Sequence, residues 1–251
     1  MKPEDLTLGP DERLDDLLYK GRRIIQNTRE FCFSLDAVLL AHFPQWRAHQ
    51  RVLDLGTGTG VMPLLIADYV RQIDAVELNP VMAELAARNV RLNDLEDKIT
   101  VRQGDYRQIR DLYRPESFDV VLVNPPYRPV SHGTANKLSG VARARHEFTA
   151  TLEDVVTASR YALRFGGKLA MVHLPERLTE IVAALHRHQF EMKRLQFVQP
   201  KTGRKPNMML IEAVVGASPG GLSVLPPLIV HGEDGSYTKE IRRIYGMEDE
   251  P

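Results

Sequence analysis

The chain predicts an α/β fold: a mostly parallel sheet, helices on both faces, and an antiparallel C-terminal hairpin at the end. Three observations predict it. From Arg51 onward, short apolar runs alternate with segments of helical period, as βαβ units require. Phe118-Asp119-Val120-Val121-Leu122-Val123 reads as a buried strand. Phe190 to Val198 and Met208 to Val215 are joined only by Pro200-Lys201-Thr202-Gly203-Arg204-Lys205-Pro206, too short for a crossover helix, so those two strands must be antiparallel.

The elements follow in order. Arg23-Ile24-Ile25-Gln26 is extended, and an amphipathic helix near Leu35 to Phe43 completes an N-terminal lid over residues 1–50. Arg51 to Leu55 is the first strand of the sheet, followed by Gly56-Thr57-Gly58-Thr59-Gly60 and a helix from about Val61 to Tyr69. Ile73 to Glu77 is the second strand. Pro80 then opens a helix, Val81 to Leu92, at a position where proline is tolerated. Ile99 to Gln103 and Phe118 to Val123 are the third and fourth strands. A helix from Leu152 to Leu163 is expected to stop at Gly166-Gly167. Lys168 to His173 is the fifth strand, Arg177 to His188 a helix, and the hairpin strands close the domain at 216. The Gly- and Pro-rich remainder, 217–251, is expected to be a peripheral tail packed on that 51–216 domain.

Composition excludes several classes. Lys plus Arg equals Asp plus Glu, 33 against 33, so nucleic-acid binding must come from a local patch and not from a global field. A single cysteine, Cys32, permits no intramolecular disulfide and no Cys-based zinc site, and no metal site is expected; Cys32 itself reads as a small buried hydrophobe. The acidic segment Met1 to Asp16 lacks the hydrophobic core of a signal peptide, and no apolar run approaches the roughly 18 residues of a membrane span. A cytoplasmic protein with no membrane partner and no obligatory protein partner is expected.

A strand ending in Asp54, then glycines at 56, 58 and 60, then a helix, makes a loop built for close backbone approach. A tight turn without ligand is the plain alternative, since such loops alone are weak signals. Val61 breaks the G-x-G-x-x-G spacing of a dinucleotide site, and no Gly-Lys-Ser/Thr follows, so S-adenosyl-L-methionine fits better. Glu77, with Leu78 after it, stands about 20 residues beyond the glycines, where an acid accepts from both ribose hydroxyls. Asp105 is suited to accept from an adenine amino group and Tyr106 to cover its ring; Asp105 could equally be an N-cap. Asn124-Pro125-Pro126-Tyr127 lies at the carboxyl end of the fourth strand, where open α/β sheets place their chemistry. The prolines stiffen the turn and remove two donors. An amide, a fixed carbonyl and an aromatic face then suit a planar group carrying –NH2.

Together these residues resemble the class I, Rossmann-like methyltransferases that modify amino groups, and the expected seven strands match that sheet. The Asn-Pro-Pro-Tyr motif is shared by enzymes acting on adenine N6, protein glutamine N5 and sometimes guanine N2, so it leaves the substrate open. The resemblance implies that the amine donates to the Asn124 side-chain oxygen and the Pro125 carbonyl, favouring tetrahedral geometry and aiming its lone pair at the methyl. Tyr127 would stack on the base.

The stretch Gln26-Asn27-Thr28-Arg29-Glu30-Phe31-Cys32-Phe33-Ser34-Leu35-Asp36-Ala37-Val38-Leu39-Leu40-Ala41 is similar to the bacterial tRNA1(Val) (adenine(37)-N6)-methyltransferase family. By that resemblance Phe33, Ser34 and Asp36 lie near the methionine end of the cofactor; Ser34 is also a natural N-cap. The implied activity is methylation of adenine N6 in a tRNA anticodon loop, at A37. Arg128, Lys137, Arg143 and Arg145 follow the Asn-Pro-Pro-Tyr motif with no acid up to His146, a loop placed to grip phosphates. Lys201, Arg204 and Lys205 form a second basic tip and Arg22-Arg23 a third. An unpaired anticodon-loop base costs little to flip. Release-factor glutamine methyltransferases usually carry a larger helical N-terminal domain and rRNA guanine N2 enzymes a second domain; a non-catalytic RNA-binding relative is the remaining alternative.

Overall fold

The structure, a computed structural model, describes residues 7–30, 32–125 and 150–247. A hairpin of β1 (Glu12–Asp16) and β2 (Arg23–Asn27) precedes helix α1 (Leu35–His42). The sheet then begins with β3 (Arg51–Leu55), α2 (Val61–Ile66), β4 (Gln72–Glu77), α3 (Pro80–Leu92) and β5 (Ile99–Gln103). It continues with α4 (Ile109–Leu112), β6 (Phe118–Val123), α5 (Leu152–Ala162), β7 (Leu163–His173) and α6 (Leu178–Arg187). Strands β8 (Phe190–Gln199) and β9 (Met208–Val215) form the antiparallel pair, and β10 (Ser223–Val224), β11 (Leu228–Ile229) and α7 (Lys239–Ile244) follow.

The order across the sheet is β10-β8-β9-β7-β6-β3-β4-β5, with β11 also on β8. All seven expected strands are present. The two-residue strands β10 and β11 raise the count to nine by pairing in parallel with the outer edge of β8. Strand alternation divides the core. Val52, Ile73, Val120, Leu122, Ala170 and Val172 pack beneath α1, α2 and α3. Leu53, Leu55, Val76, Val121, Val123 and Met171 pack beneath α4, α5 and α6.

Several expectations need correction. Helix α1 is not amphipathic: residues 36–41 are all buried, because it is enclosed by α2, the sheet and the C-terminal helix α7. Helix α2 stops at Ile66 and not Tyr69, whose N–H instead donates to the Ile66 carbonyl in a tightened turn at 2.9 Å. Gly166-Gly167 does not end α5. Leu163 is already extended at the helix C-cap and pairs with Phe118, while Val120 pairs with Lys168, so the glycines belong to a bulge inside β7. At Gly167 a Cβ would stand 2.8 Å from the Arg164 carbonyl oxygen, which is why the bulge needs glycine there. The segment after 216 carries Leu228, Val230 and Ile241 into the main core.

Candidate active site

The parallel register assembles the site. Leu55 pairs with Val123, so the next residues, Gly56 and Asn124, stand side by side at the carboxyl edge. Glu77 pairs with Gln103, which brings Asp105 to the same edge two strands away. Asp54 and Glu77 occupy the strand positions that alternate with the face packed on α4, α5 and α6, and Asn124 directly follows the last residue of β6.

The glycine loop closes by backbone bonds. Gly56 and Thr57 N–H donate to the Val76 carbonyl at 2.9 and 3.0 Å, and Gly60 N–H donates to the Thr57 carbonyl at 3.0 Å. Gly56 and Gly60 have φ of +74° and +84°, a region costly for any residue with a Cβ. At Gly60 a Cβ would meet the Ala86 Cβ at 3.4 Å, so the loop packs closely on α3. The Tyr106 ring edge lies 3.9 Å from where a Gly56 Cβ would be, placing Tyr106 beside the loop; burial first, then nearby acids, pushes its hydroxyl pKa up.

Charge at the site is tightly held. Glu77 accepts from Gly58 N–H at 2.8 Å and from Asn79 N–H at 2.9 Å, one bond on each oxygen, which leaves lone pairs for further donors. Leu78 follows, half-buried. Asp54 is fully buried, and both its oxygens and the Thr57 hydroxyl have no hydrogen-bond partner among the described residues. Burial pushes the Asp54 carboxyl up to about 7; the nearby Thr57 hydroxyl offsets part of this although it completes no hydrogen bond, and the Glu77 charge adds to it.

The remaining sequence candidates are placed as follows. Asp105 caps the turn Tyr106–Gln108, accepting from Arg107 N–H at 2.9 Å and from its guanidinium, which holds the carboxyl below its ordinary range. The capping role is thus realised in this structure. Ser34 occupies the N-cap of α1, but its hydroxyl donates to Asp36 at 2.6 Å rather than to the helix. Phe33 is half-buried against the α1–α2 core, and its N–H donates to Gln26 Oε1 at 3.0 Å. Asn124 is half-buried and Pro125 buried. Pro126, Tyr127, Arg128, Lys137, Arg143 and Arg145 lie outside the described residues. Arg22 is buried, donates to the Leu64 carbonyl and pairs with Asp68 at 2.7 Å, so its charge is used in bracing the end of α2.

Sequence reasoning missed Asn89. It is fully buried on α3, accepts from Ile25 N–H at 2.6 Å, and donates to the Ile25 and Thr59 carbonyls at 3.0 and 2.9 Å. It ties the glycine loop to β2. The available signal was an amide in a core-facing helix position, in register with Leu85, Ala86 and Asn93.

The profile of the methyltransferase small domain matches residues 35–189. A tRNA1(Val) (adenine(37)-N6)-methyltransferase from Tolumonas auensis is 32% identical over 200 residues, covering 77% of this chain and 80% of that one. The chain belongs to the tRNA1(Val) (adenine(37)-N6)-methyltransferase family. A namesake from Porphyromonas gingivalis is 28% identical over 222 residues, 83% of this chain and 85% of the relative. In fold the methyltransferase is similar to a protein described as a predicted O-methyltransferase from Agrobacterium tumefaciens, with TM-score 0.68, 24% identity and coverage of 84% and 96%. It is also similar to the M. jannaschii tRNA m1G37 methyltransferase, with TM-score 0.58, 14% identity and coverage of 83% and 55%.

Methyltransferases of this class use S-adenosyl-L-methionine, and the chemistry of the loop fits it. A buried acid and hydroxyl without partners, beside a glycine backbone that side chains would obstruct, suit a ligand bringing its own donors and positive charge. Among the described residues no group of three or more His, Cys, Asp or Glu could hold a metal ion, and no helix is long and apolar enough to cross a membrane.

Proposed function

We propose that this protein methylates the exocyclic N6 of an adenine in tRNA, at position 37 of the anticodon loop, with S-adenosyl-L-methionine as donor. The observation that supports the reading is the pairing of Leu55 with Val123, because the glycine loop and Asn124 both follow directly from that pair at the carboxyl edge of the sheet. Bound in that loop, the cofactor supplies an electrophilic methyl on a positively charged sulfur. Glu77 holds the ribose hydroxyls with the lone pairs left by Gly58 and Asn79. Asp54 and Thr57 meet donors at the methionine end, with Phe33, Ser34 and Asp36 closing over it. Gly56, Gly58 and Gly60 give backbone approach, and Asp105 and Tyr106 flank the adenine.

Asn124 and Pro125 do the work on the substrate. Adenine N6 is a weak nucleophile because its lone pair is spread into the ring. Accepting both N–H bonds at Asn124 Oδ1 and the Pro125 carbonyl favours a tetrahedral nitrogen, which withdraws that lone pair from conjugation with the ring and aims it at the methyl. Pro125 is buried with a fixed φ, and the proline that follows it restricts its ψ, so the accepting carbonyl is held rigidly. Positioning at roughly 3–3.5 Å between reacting atoms then supplies most of the rate. No strong base is needed before attack, because the nitrogen becomes cationic and acidic only once methylated and then gives up its proton to water. Tyr127 stacks on the base, worth about 1–3 kcal/mol. Arg128, Lys137, Arg143 and Arg145, with Lys201, Arg204 and Lys205, hold the RNA backbone. Such a reaction belongs in the cytoplasm, where tRNA is matured.

The test is to incubate the protein with labelled S-adenosyl-L-methionine and unmodified tRNA transcripts, digest, and identify the product. N6-methyladenosine in one tRNA is expected. Label on protein glutamine, or on guanine N2, would overturn the reading.

A further inference from the structure

We infer that the β8–β9 turn and the segment running from β11 into α7 together form a site for the sugar-phosphate backbone of the RNA substrate. This rests on the tRNA reading above and adds the place where the strand beside the target nucleotide is held, and the part the C-terminal segment plays in it. An open groove of about 660 Å³ is lined by Pro200, Lys201, Gly203, Arg204, Lys205 and His231. Its position follows from topology. Strand β9 is antiparallel to both β7 and β8, so β8 runs with β6 and β7, and the turn at 200–207 leaves the sheet at the carboxyl edge. Three strand spacings, roughly 14 Å, separate β8 from β6, the strand that Asn124 follows, so the groove opens on the same edge of the sheet.

The charge is available. Arg204 and Lys205 are exposed and, among the described residues, form no ion pair. Among the described residues, Lys201 Nζ donates only to the Glu233 backbone carbonyl, at 3.4 Å. Of the nearby acids, Asp234 is occupied by the N–H and hydroxyl of Ser236 at 3.0 and 2.8 Å.

The groove is also built. Gly203 takes φ +71° in the turn, and Arg204 N–H donates back to the Lys201 carbonyl at 3.1 Å. His231 comes from the other wall: its N–H donates to the Pro200 carbonyl at 3.0 Å, and its Nδ1 faces the same oxygen at 3.3 Å. A carbonyl only accepts, so Nδ1 carries the proton and Nε2 of the neutral ring is an acceptor, suited to a ribose hydroxyl of the backbone and not to its phosphate oxygens. The ring stacks on Tyr237 at 5.2 Å, and Tyr237 on Tyr245 at 5.7 Å, so its orientation is fixed from α7. A rigid, cationic groove open to solvent and in line with the reaction site suits a passing chain of phosphates.

The experiment measures methyl transfer and direct binding with unmodified tRNA transcripts across a salt series. It uses the full chain and the variants Arg204→Ala/Lys205→Ala, His231→Gln and Lys20→Ala. Lys20 is the control, an exposed cation paired with Asp68 beyond the end of α2, at the opposite edge. The double variant should raise the tRNA KM about five- to tenfold and flatten its salt dependence by about one logarithmic unit per cation, with kcat and cofactor affinity within about twofold. His231→Gln should raise KM without changing the slope, and Lys20→Ala should change neither. Unchanged KM and slope in the double variant, while tRNA is still methylated, would overturn the groove alone. Saturable binding of inorganic phosphate with no change in tRNA KM would overturn it in favour of a small-anion site. Failure of the wild-type protein both to bind and to methylate tRNA would overturn the underlying reading and the groove with it.

Discussion

Asp54 shows what a single residue contributes. The sequence marks it as the end of a strand before glycines, but its burial and missing partners are legible only in three dimensions, because they depend on β4, β6 and the loop closing around it. Its folded pKa, about 7, stands above the 3.8 of an unfolded Asp. The unfolded chain therefore gives up its proton first, and the contribution of this group, fully present below about pH 4, is lost as pH rises through about 7. Asp54→Asn should flatten the urea midpoint between pH 5 and pH 8 while weakening cofactor binding about tenfold or more. An unchanged pH slope in the variant would contradict the account. Asp105 teaches the opposite lesson. Its capping role was readable as an alternative, and the Arg107 contact that realises it is local in sequence.

At the scale of elements, the strands were the most legible features. Arg51–Leu55, Ile99–Gln103, Phe118–Val123 and Met208–Val215 fall where their apolar runs place them. The errors lie where tertiary contacts outvote local signals. Gly166-Gly167 resembles a helix stop but serves the β6–β7 bulge, and α1 is enclosed on all sides by elements distant in sequence. Asn89 is a further case, an amide joining α3, β2 and the glycine loop. Asn89→Leu should cost about 2–3 kcal/mol in urea unfolding, since it strands the Ile25 N–H and two carbonyls away from water. It should also raise the cofactor KM and speed hydrogen exchange at Ile25. Loss of stability with wild-type exchange there would show that Asn89 does not tie β2 to the loop.

The whole molecule brings four strand ends to one edge: Asp105 after β5, Glu77 on β4, the glycine loop after β3 and Asn124 after β6. The alternation of apolar runs was enough to foresee that convergence. The C-terminal segment was not, because its short strands carry little periodic signal and gain order only by pairing with β8. Ile241 is fully buried in the core beneath α1. Ile241→Ala should therefore cost about 2–4 kcal/mol, measured by urea unfolding; a cost under about 0.5 kcal/mol would mark the segment as peripheral. The most direct test of the account is single-turnover methyl transfer to tRNA by Asn124→Ala, with cofactor affinity measured on the same preparation. Loss of an acceptor used at the reacting amine should slow the step by about a hundredfold or more, with cofactor affinity within about twofold of wild type. A rate near wild type, or a loss of cofactor affinity as large as the loss of rate, would contradict the assignment of Asn124 to the adenine amine.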